Sequence, residues 1–201
     1  MQRLIDGYHR FRATQWPERR ATFEVLARQG QSPPSLVIAC SDSRVDPAMI
    51  FNAGPGEMFI VRNVANLVPP SQPDGNAHAT SAAIEFAVRV LEVSDIIVMG
   101  HAMCGGIQAL LKGVPLADND FLKPWIEIAA PAKARVLASH HHDPQTACEL
   151  EAVKLSLENL MTFPWIAQRV GAKRLTLTGA TFDIRSGELD ILQPDGTFKA
   201  V

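Results

Sequence analysis

The chain has 201 residues, and its 19 lysines and arginines nearly balance its 21 aspartates and glutamates. No block of like charge stands out and the apolar runs are far too short to span a bilayer, so we expect neither a nucleic-acid partner nor a membrane. The length predicts a single domain over residues 1–201, with a core that needs no disulfide or metal to stabilise it.

Residues 1–30 are predicted to form an N-terminal helical arm. Apolar side chains recur there at helical spacing among many arginines. Pro17 has no backbone N–H to donate and interrupts a regular helix. We therefore expect two amphipathic helices hinged at Trp16-Pro17, which cover either their own domain or a neighbouring subunit.

From Ser35 onward, short apolar runs alternate with helical patterns. Continuous apolar strands separated by helices are typical of a parallel sheet buried on both faces. The fold class is therefore α/β, with a central mainly parallel sheet flanked by helices. The predicted strands are 35–39, 58–61, 95–100, 174–181 and a C-terminal edge strand at 189–193. The predicted helices are 80–91, one that begins at Gly105, and several within 121–170, with a loop at 115–120.

The three cysteines are an odd number, and nothing else indicates a disulfide scaffold, which favours a reducing compartment. Since no apolar leader opens the sequence, we expect a cytoplasmic protein. Cys148 lies in an apolar helical pattern, where free cysteine is usually a small buried side chain. Cys40 and Cys104 lie in polar motifs instead, and they are the candidates for thiol or metal chemistry.

Cys40, His101 and Cys104 come just after two predicted strands. Active sites of α/β sheets lie at the carboxyl ends of the strands, so these three side chains are expected to converge. Zinc takes thiolate sulfur and imidazole nitrogen readily, whereas magnesium and calcium prefer oxygen. Three protein ligands leave one position open, as in catalytic zinc sites. Cys104 also opens a helix, whose N-terminus is expected to favour its thiolate.

Asp42 and Arg44 lie beside Cys40 on alternate positions, where they can form a two-pronged ion pair. A carboxylate at this place either binds the metal or accepts a hydrogen bond from hydroxide on the metal. We expect Arg44 to hold Asp42 in the second, open arrangement, which gives both residues a catalytic role. A purely turn-stabilising ion pair is the alternative.

Three segments resemble the signature segments of β-class carbonic anhydrases: Cys40-Ser41-Asp42-Ser43-Arg44, Arg62-Asn63-Val64-Ala65-Asn66 and His101-Ala102-Met103-Cys104-Gly105-Gly106. The resemblance covers nearly the whole chain from about Gln31, and residues 131–136 and 156–164 are similar to the plant-like branch in particular. It implies a zinc lyase in which hydroxide on the metal attacks carbon dioxide reversibly, giving bicarbonate and a proton.

By this resemblance Cys40, His101 and Cys104 hold one zinc ion per chain. The fourth ligand is water in the open state, which we expect here, or Asp42 in a closed state. His78 is a candidate for passing the released proton to buffer.

The resemblance also implies substrate-binding residues. Gln31 matches a glutamine that hydrogen-bonds the substrate from across a subunit interface, and Phe59, Val64 and the backbone of Gly105 match the carbon dioxide pocket. Phe86 stands where plant-like relatives carry a tyrosine, so that hydroxyl group is missing. A homodimer or homotetramer is expected.

Some bacterial relatives have a bicarbonate switch built from a tryptophan, an arginine and a tyrosine. Arg62 matches the arginine, but Val37 and Phe182 occupy the other two positions, so we expect no switch. Two other functions remain open: a carbon disulfide or carbonyl sulfide hydrolase on the same scaffold, and a non-catalytic, zinc-stabilised binding module.

Overall fold

A computed structural model describes residues 1–114 and 120–201. The loop predicted at 115–120 therefore lies, apart from Asp120, outside the described residues. Six strands form one sheet in the order β2-β1-β3-β4-β5-β6. They are β1 (Ser35–Cys40), β2 (Met58–Asn63), β3 (Asp95–His101), β4 (Thr176–Phe182), β5 (Leu189–Leu192) and β6 (Phe198–Ala200).

The first four strands are parallel and the last two antiparallel, which confirms the mainly parallel sheet. The C-terminal edge strand is β6, whereas the segment predicted as the edge, 189–193, contains β5 and lies between β4 and β6. The three-residue β6 was missed because so short a run has no alternating pattern to recognise.

Eight α-helices accompany the sheet in the described part of the chain, and α3 continues as a π-helical turn at Phe86–Val90. None of the helices in residues 1–114 and 120–201 is both long enough and apolar enough to cross a bilayer. The helices are α1 (Gln2–Gln29), α2 (Pro47–Ile50), α3 (Ala79–Glu85), α4 (Gly105–Lys112), α5 (Leu122–Ile126), α6 (Ala130–Ala138), α7 (Pro144–Leu160) and α8 (Pro164–Gly171).

The N-terminal arm is one continuous helix that runs through Pro17, so the predicted hinge is wrong. Aromatic contacts span the proline: the ring centroid of Trp16 lies 6.4 Å from that of Phe11 and 5.2 Å from that of Phe23. The guanidinium of Arg12 lies 4.9 Å from the Trp16 ring centroid. These contacts support the helix where Pro17 removes one backbone hydrogen bond. No residue of α1 is buried.

Helix α7 packs closely against β3 and β4 because each strand has a glycine at the contact. A Cβ on Gly100 would lie 2.6 Å from Cγ2 of Val153, and a Cβ on Gly179 would lie 3.0 Å from Cγ1 of the same valine. Val153 is fully buried in the main apolar core. The close approach of α7 to the sheet brings the first half of this helix beside the end of β3.

Candidate metal centre

Three sequence-predicted ligands converge at the carboxyl end of the sheet. Cys40 ends β1, His101 ends the neighbouring β3, and Cys104 is the N-cap of α4. Their ligand atoms all lie within 4.8 Å of one another. The residues are 5%, 1% and 1% exposed, respectively. Among the described residues this is the one such group of histidine, cysteine and carboxylate side chains.

The imidazole of His101 is arranged to give one nitrogen to a metal. Nδ1 lies 2.9 Å from the carbonyl oxygen of Ala102, so the tautomer with its proton on Nδ1 donates to that carbonyl and leaves a lone pair on Nε2. Nε2 is buried without a hydrogen-bond partner, which is costly unless a ligand satisfies it. Two sulfurs and one unpartnered imidazole nitrogen form a donor set that fits zinc.

The two thiols hold their protons unequally. The hydrogen bond with Cys104 lowers the pKa of the Cys40 thiol to about 4 against the effect of burial, and His101 and the peptide groups of Asp42 and Ala65 lower it further. The same contact, together with burial, raises the pKa of Cys104. Because a second thiolate beside the first is repelled by it, the two thiols lose their protons in two coupled steps. The easy ionisation expected for Cys104 stays a prediction.

Asp42 and Arg44 form the predicted two-pronged contact. Nε of Arg44 donates to Oδ1 of Asp42 at 2.9 Å, and Nη2 donates to Oδ2 at 2.7 Å. These hydrogen bonds hold the pKa of the Asp42 carboxyl far below its usual value. Nη2 also donates to the carbonyl oxygen of Met103 at 3.2 Å. Arg44 thus connects the loop after β1 to the loop that carries Cys104.

Arg62 stabilises the loop after β1 from its other side. Nε donates to the carbonyl oxygen of Cys40 at 2.9 Å, and Nη2 donates to that of Asp42 at 2.6 Å. Nη1 bonds Oδ2 of Asp46 at 3.1 Å. The guanidinium is therefore engaged by protein oxygens on three of its nitrogen atoms.

Val64 and Gly105, two of the predicted pocket residues, flank the ligand group. Val64 follows Asn63, the sheet partner of Cys40, and Gly105 follows Cys104 directly. A Cβ on Gly106 would lie 2.9 Å from Cγ1 of Val64, so the start of α4 packs tightly on the turn after β2.

The comparisons with known proteins identify the family. The family model described as carbonic anhydrase matches residues 35–189. Beta carbonic anhydrase 3 of Arabidopsis thaliana is 38% identical over 97% of this chain and 78% of that protein. This chain belongs to the β-carbonic anhydrase family. Its activity is the reversible hydration of carbon dioxide with zinc as cofactor, which decides among the functions that the sequence left open.

Solved structures agree with this assignment. The β-carbonic anhydrase CcaA is 34% identical to this carbonic anhydrase, with a TM-score of 0.93 over 100% of this chain and 92% of that one. A tetrameric β-carbonic anhydrase of Sordaria macrospora is 27% identical, with a TM-score of 0.81 over 99% and 98% of the two chains. The Coccomyxa enzyme in complex with acetazolamide is 26% identical, with a TM-score of 0.79 over 94% and 84%.

The remaining predicted substrate residues lie away from the ligand group within one chain. Phe59 pairs with Leu36, whereas Cys40 pairs with Asn63, and at ~3.3 Å per strand residue this offset is about 13 Å. The ring centroids of Phe59 and Phe86 are 5.8 Å apart. Gln31 is exposed before the start of β1. In a single chain of this carbonic anhydrase, these three residues do not complete the site.

Two further residues, Cys148 and His78, lie outside the ligand group. Cys148 is fully buried, as predicted, and burial raises the pKa of its thiol to about 11. His78, the candidate proton relay, lies at the protein surface with Nε2 2.8 Å from Oδ1 of Asp74.

The sequence did not indicate two residues that contact Cys104. Glu149 and Gln145 lie on α7 and bond the backbone of Cys104. They are more than 40 positions away in the chain. The polar residues of their helix have the pattern of a solvent-exposed face, so nothing in the local sequence distinguishes Glu149 and Gln145 from ordinary surface residues.

Proposed function

We propose that this carbonic anhydrase hydrates carbon dioxide at the group formed by Cys40, His101 and Cys104, which are its zinc ligands. The observation that carries the proposal is the buried Nε2 of His101, which faces no protein partner while two sulfurs lie within 4.8 Å. When bound, zinc supplies the Lewis acidity that makes water a nucleophile near neutral pH.

We assign Asp42 as the catalytic residue beside this group. Its carboxylate can accept a hydrogen bond from the attacking water and so orient the lone pair of that water towards carbon dioxide. Arg44 is a positioning residue, because its fork occupies both carboxylate oxygens and keeps Asp42 ionised. This arrangement favours the open state, in which Asp42 is not a ligand.

Val64 and Gly105 are proposed to form the wall against which carbon dioxide lies. Both are exposed; the Val64 side chain is apolar, and Gly105 contributes only backbone. Such a surface suits a small apolar substrate whose product, an anion, is released to water.

Gln31, Phe59 and Phe86 are proposed to serve the site of a second copy of the chain. Phe59 lies about 13 Å along the sheet from Cys40 of its own chain, Phe86 contacts Phe59, and Gln31 precedes the start of β1, so all three lie towards the other end of the sheet from the ligand group. Helix α1 buries none of its residues, which leaves its apolar side chains available to a partner subunit. We propose a homodimer or homotetramer, in keeping with the tetrameric Sordaria relative.

We also propose that the enzyme has no bicarbonate switch. Arg62 bonds three protein oxygens, and Val37 is fully buried within β1. An anion at this place would have to displace the hydrogen bonds that hold the backbone of Cys40 and Asp42.

The cytoplasm is proposed as the location, because the two ligand thiols must stay reduced to bind metal.

Stopped-flow hydration of carbon dioxide, with zinc per chain measured on the same sample, tests the proposal. We expect hydration in proportion to zinc content. Hydrolysis of carbon disulfide or carbonyl sulfide without hydration of carbon dioxide would contradict it, and so would bound zinc without any turnover.

A further inference from the structure

A buried carboxylate on α7 bonds the backbone of a metal ligand. Glu149 is 4% exposed, and its Oε1 accepts the peptide N–H of Cys104 at 2.8 Å. Nε2 of Gln145, one helical turn earlier, donates to the same Oε1 at 2.6 Å and to the carbonyl oxygen of Cys104 at 3.1 Å. Both polar atoms of the Cys104 main chain are therefore held by side chains of one helix.

Because Glu149 is buried, its hydrogen bonds must offset the loss of hydration of the carboxylate. A carboxylate is rarely buried, because removal from water is costly unless its oxygens are hydrogen-bonded. None of the hydrogen bonds just described joins Glu149 or Gln145 to a charged partner. Apart from the bond between the two side chains, they go to the main chain of Cys104. The metal chemistry described above uses neither residue.

The loop that carries Cys104 needs support from outside. Met103, the residue before Cys104, has a φ of 59°, in the left-handed region that is unfavourable for non-glycine residues. Cys104 opens α4 without a side-chain cap. Side-chain contacts with the main chain of residues 103 and 104 come from Arg44 on one side and from α7 on the other, and the carbonyl oxygen of Cys104 also accepts the backbone N–H of Gln108 at 2.9 Å.

We propose that Glu149 and Gln145 are positioning residues that fix the orientation of the Cys104 thiolate towards the metal. This inference rests on the assignment of Cys104 as a ligand, made under the proposed function. By gripping the N–H and the carbonyl group of one residue, the two side chains fix the direction of its Cα–Cβ bond. Residues that orient metal ligands in this way usually contribute to metal affinity.

The helix that carries this pair is itself firmly placed. Asp143 caps α7, and its Oδ1 accepts the backbone N–H groups of Gln145 and Thr146, each at 3.1 Å. Further along, α7 packs against Gly100 and Gly179 of the sheet. Since β1 carries Cys40 and β3 carries His101, the sheet and α7 together form one frame for all three ligands.

Three variants of the full-length enzyme test the inference. Glu149→Leu removes the acceptor, Glu149→Gln keeps an oxygen acceptor of the same length, and Glu158→Gln is the matched control on an exposed part of the same helix. The measurements are the rate of zinc release to a chelator and the absorption bands of the Co²⁺-substituted protein, which report thiolate ligation directly. Urea unfolding of each variant separates positioning from stability.

Loss of a hydrogen-bond partner of a metal ligand typically lowers metal affinity about 10–100-fold, so we expect Glu149→Leu to release zinc faster by a factor of that order, with shifted Co²⁺–thiolate bands. In Glu149→Gln, the rate of zinc release and the Co²⁺ bands should both lie close to the wild-type values, and Glu158→Gln should match the wild type in both measurements. A folded Glu149→Leu protein with wild-type release and spectrum would overturn the inference, even if its unfolding midpoint fell.

If Glu149→Leu does not fold, Gln145→Leu provides the decision, because Gln145 is only half-buried. We expect faster zinc release and a shifted spectrum there too, and unchanged values would overturn the inference. If the wild type itself binds no zinc, the ligand assignment fails. If the wild type binds zinc and replacement of Glu149 changes nothing, only the inference about Glu149 fails, so the two results can be told apart.

Discussion

At the scale of single residues, the chemistry of the site follows from which polar atoms are engaged and which are left free. The Nδ1 atom of His101 is engaged by a carbonyl group, so Nε2 is available. Both oxygens of Asp42 are engaged by Arg44, so this carboxylate lies beside the ligand group without joining it.

Replacement of Asp42 by asparagine separates catalysis from metal binding. Asp42→Asn should keep zinc, because the ligands are unchanged, but hydration should slow on the order of 10²-fold or more, since a charged acceptor becomes a neutral amide. Stopped-flow rates and zinc per chain on the same preparation check this. Hydration at the wild-type rate would show that Asp42 has no catalytic role.

Replacement of Cys40 by serine should remove the metal. A serine hydroxyl does not ionise near neutral pH and is a poor zinc ligand compared with a thiolate. We expect zinc per chain, measured after dialysis, to fall to a small fraction of the wild-type value. Cys148→Ala is the matched control, because Cys148 lies outside the ligand group; equal zinc in Cys40→Ser and Cys148→Ala would contradict the assignment.

At the scale of elements, the site depends on the fit between α7 and the sheet. Gly100 and Gly179 allow α7 to approach β3 and β4 closely, and the approach places Glu149 beside Cys104. Strands β1 and β3 are neighbours in the sheet, which is why Cys40 and His101 meet. Each ligand is therefore positioned by a contact between elements that are distant in the sequence.

Substitution at Gly100 tests this fit. A Cβ at this position would lie 2.6 Å from Cγ2 of Val153, and a buried, β-branched neighbour cannot move aside easily. Gly100→Ala should lower the free energy of unfolding by about 1–3 kcal/mol, measured by urea denaturation. Gly171→Ala, where no atom lies within 4 Å of the added Cβ, should be neutral or slightly stabilising, and an equal loss in both variants would refute the explanation.

At the scale of the whole molecule, a single chain has parts without an evident use. Helix α1 spans 28 residues, none of them buried, and the side chains of Leu4 and Tyr8 are mostly exposed. Phe59 and Phe86 contact each other far from the ligand group. The assembly proposed above accounts for both features: in that proposal the arm holds the subunits together and the aromatic pair reaches a neighbouring site.

The double variant Leu4→Glu/Tyr8→Glu tests the role of the arm. Charges on the apolar side chains of α1 should weaken association, because a buried unpaired charge is strongly unfavourable at an interface. We expect light scattering to give a lower molar mass for the assembly than in the wild type. The zinc content per chain and the helical circular dichroism signal should be unchanged. An unchanged mass at micromolar concentration would show that α1 does not hold the subunits together.

The sequence by itself determined the fold class and pointed to the candidate metal ligands, because both depend on local patterns. Apolar runs alternating with helical segments predict a parallel sheet wherever they fold, and Cys40, Asp42 and Arg44 stand within five residues of a strand end. His101 and Cys104 form a second such motif. Chemistry concentrated in short segments at strand ends is visible without coordinates.

Only the tertiary structure decided the features that depend on contacts between distant segments. These are the continuity of α1 through Pro17, the sixth strand, and the hydrogen bond from the peptide N–H of Cys104 to Glu149. Each results from the free energy of packing or charge interaction between groups far apart in the chain. Local propensity contains no information about such neighbours, so no reading of the sequence alone could have assigned them.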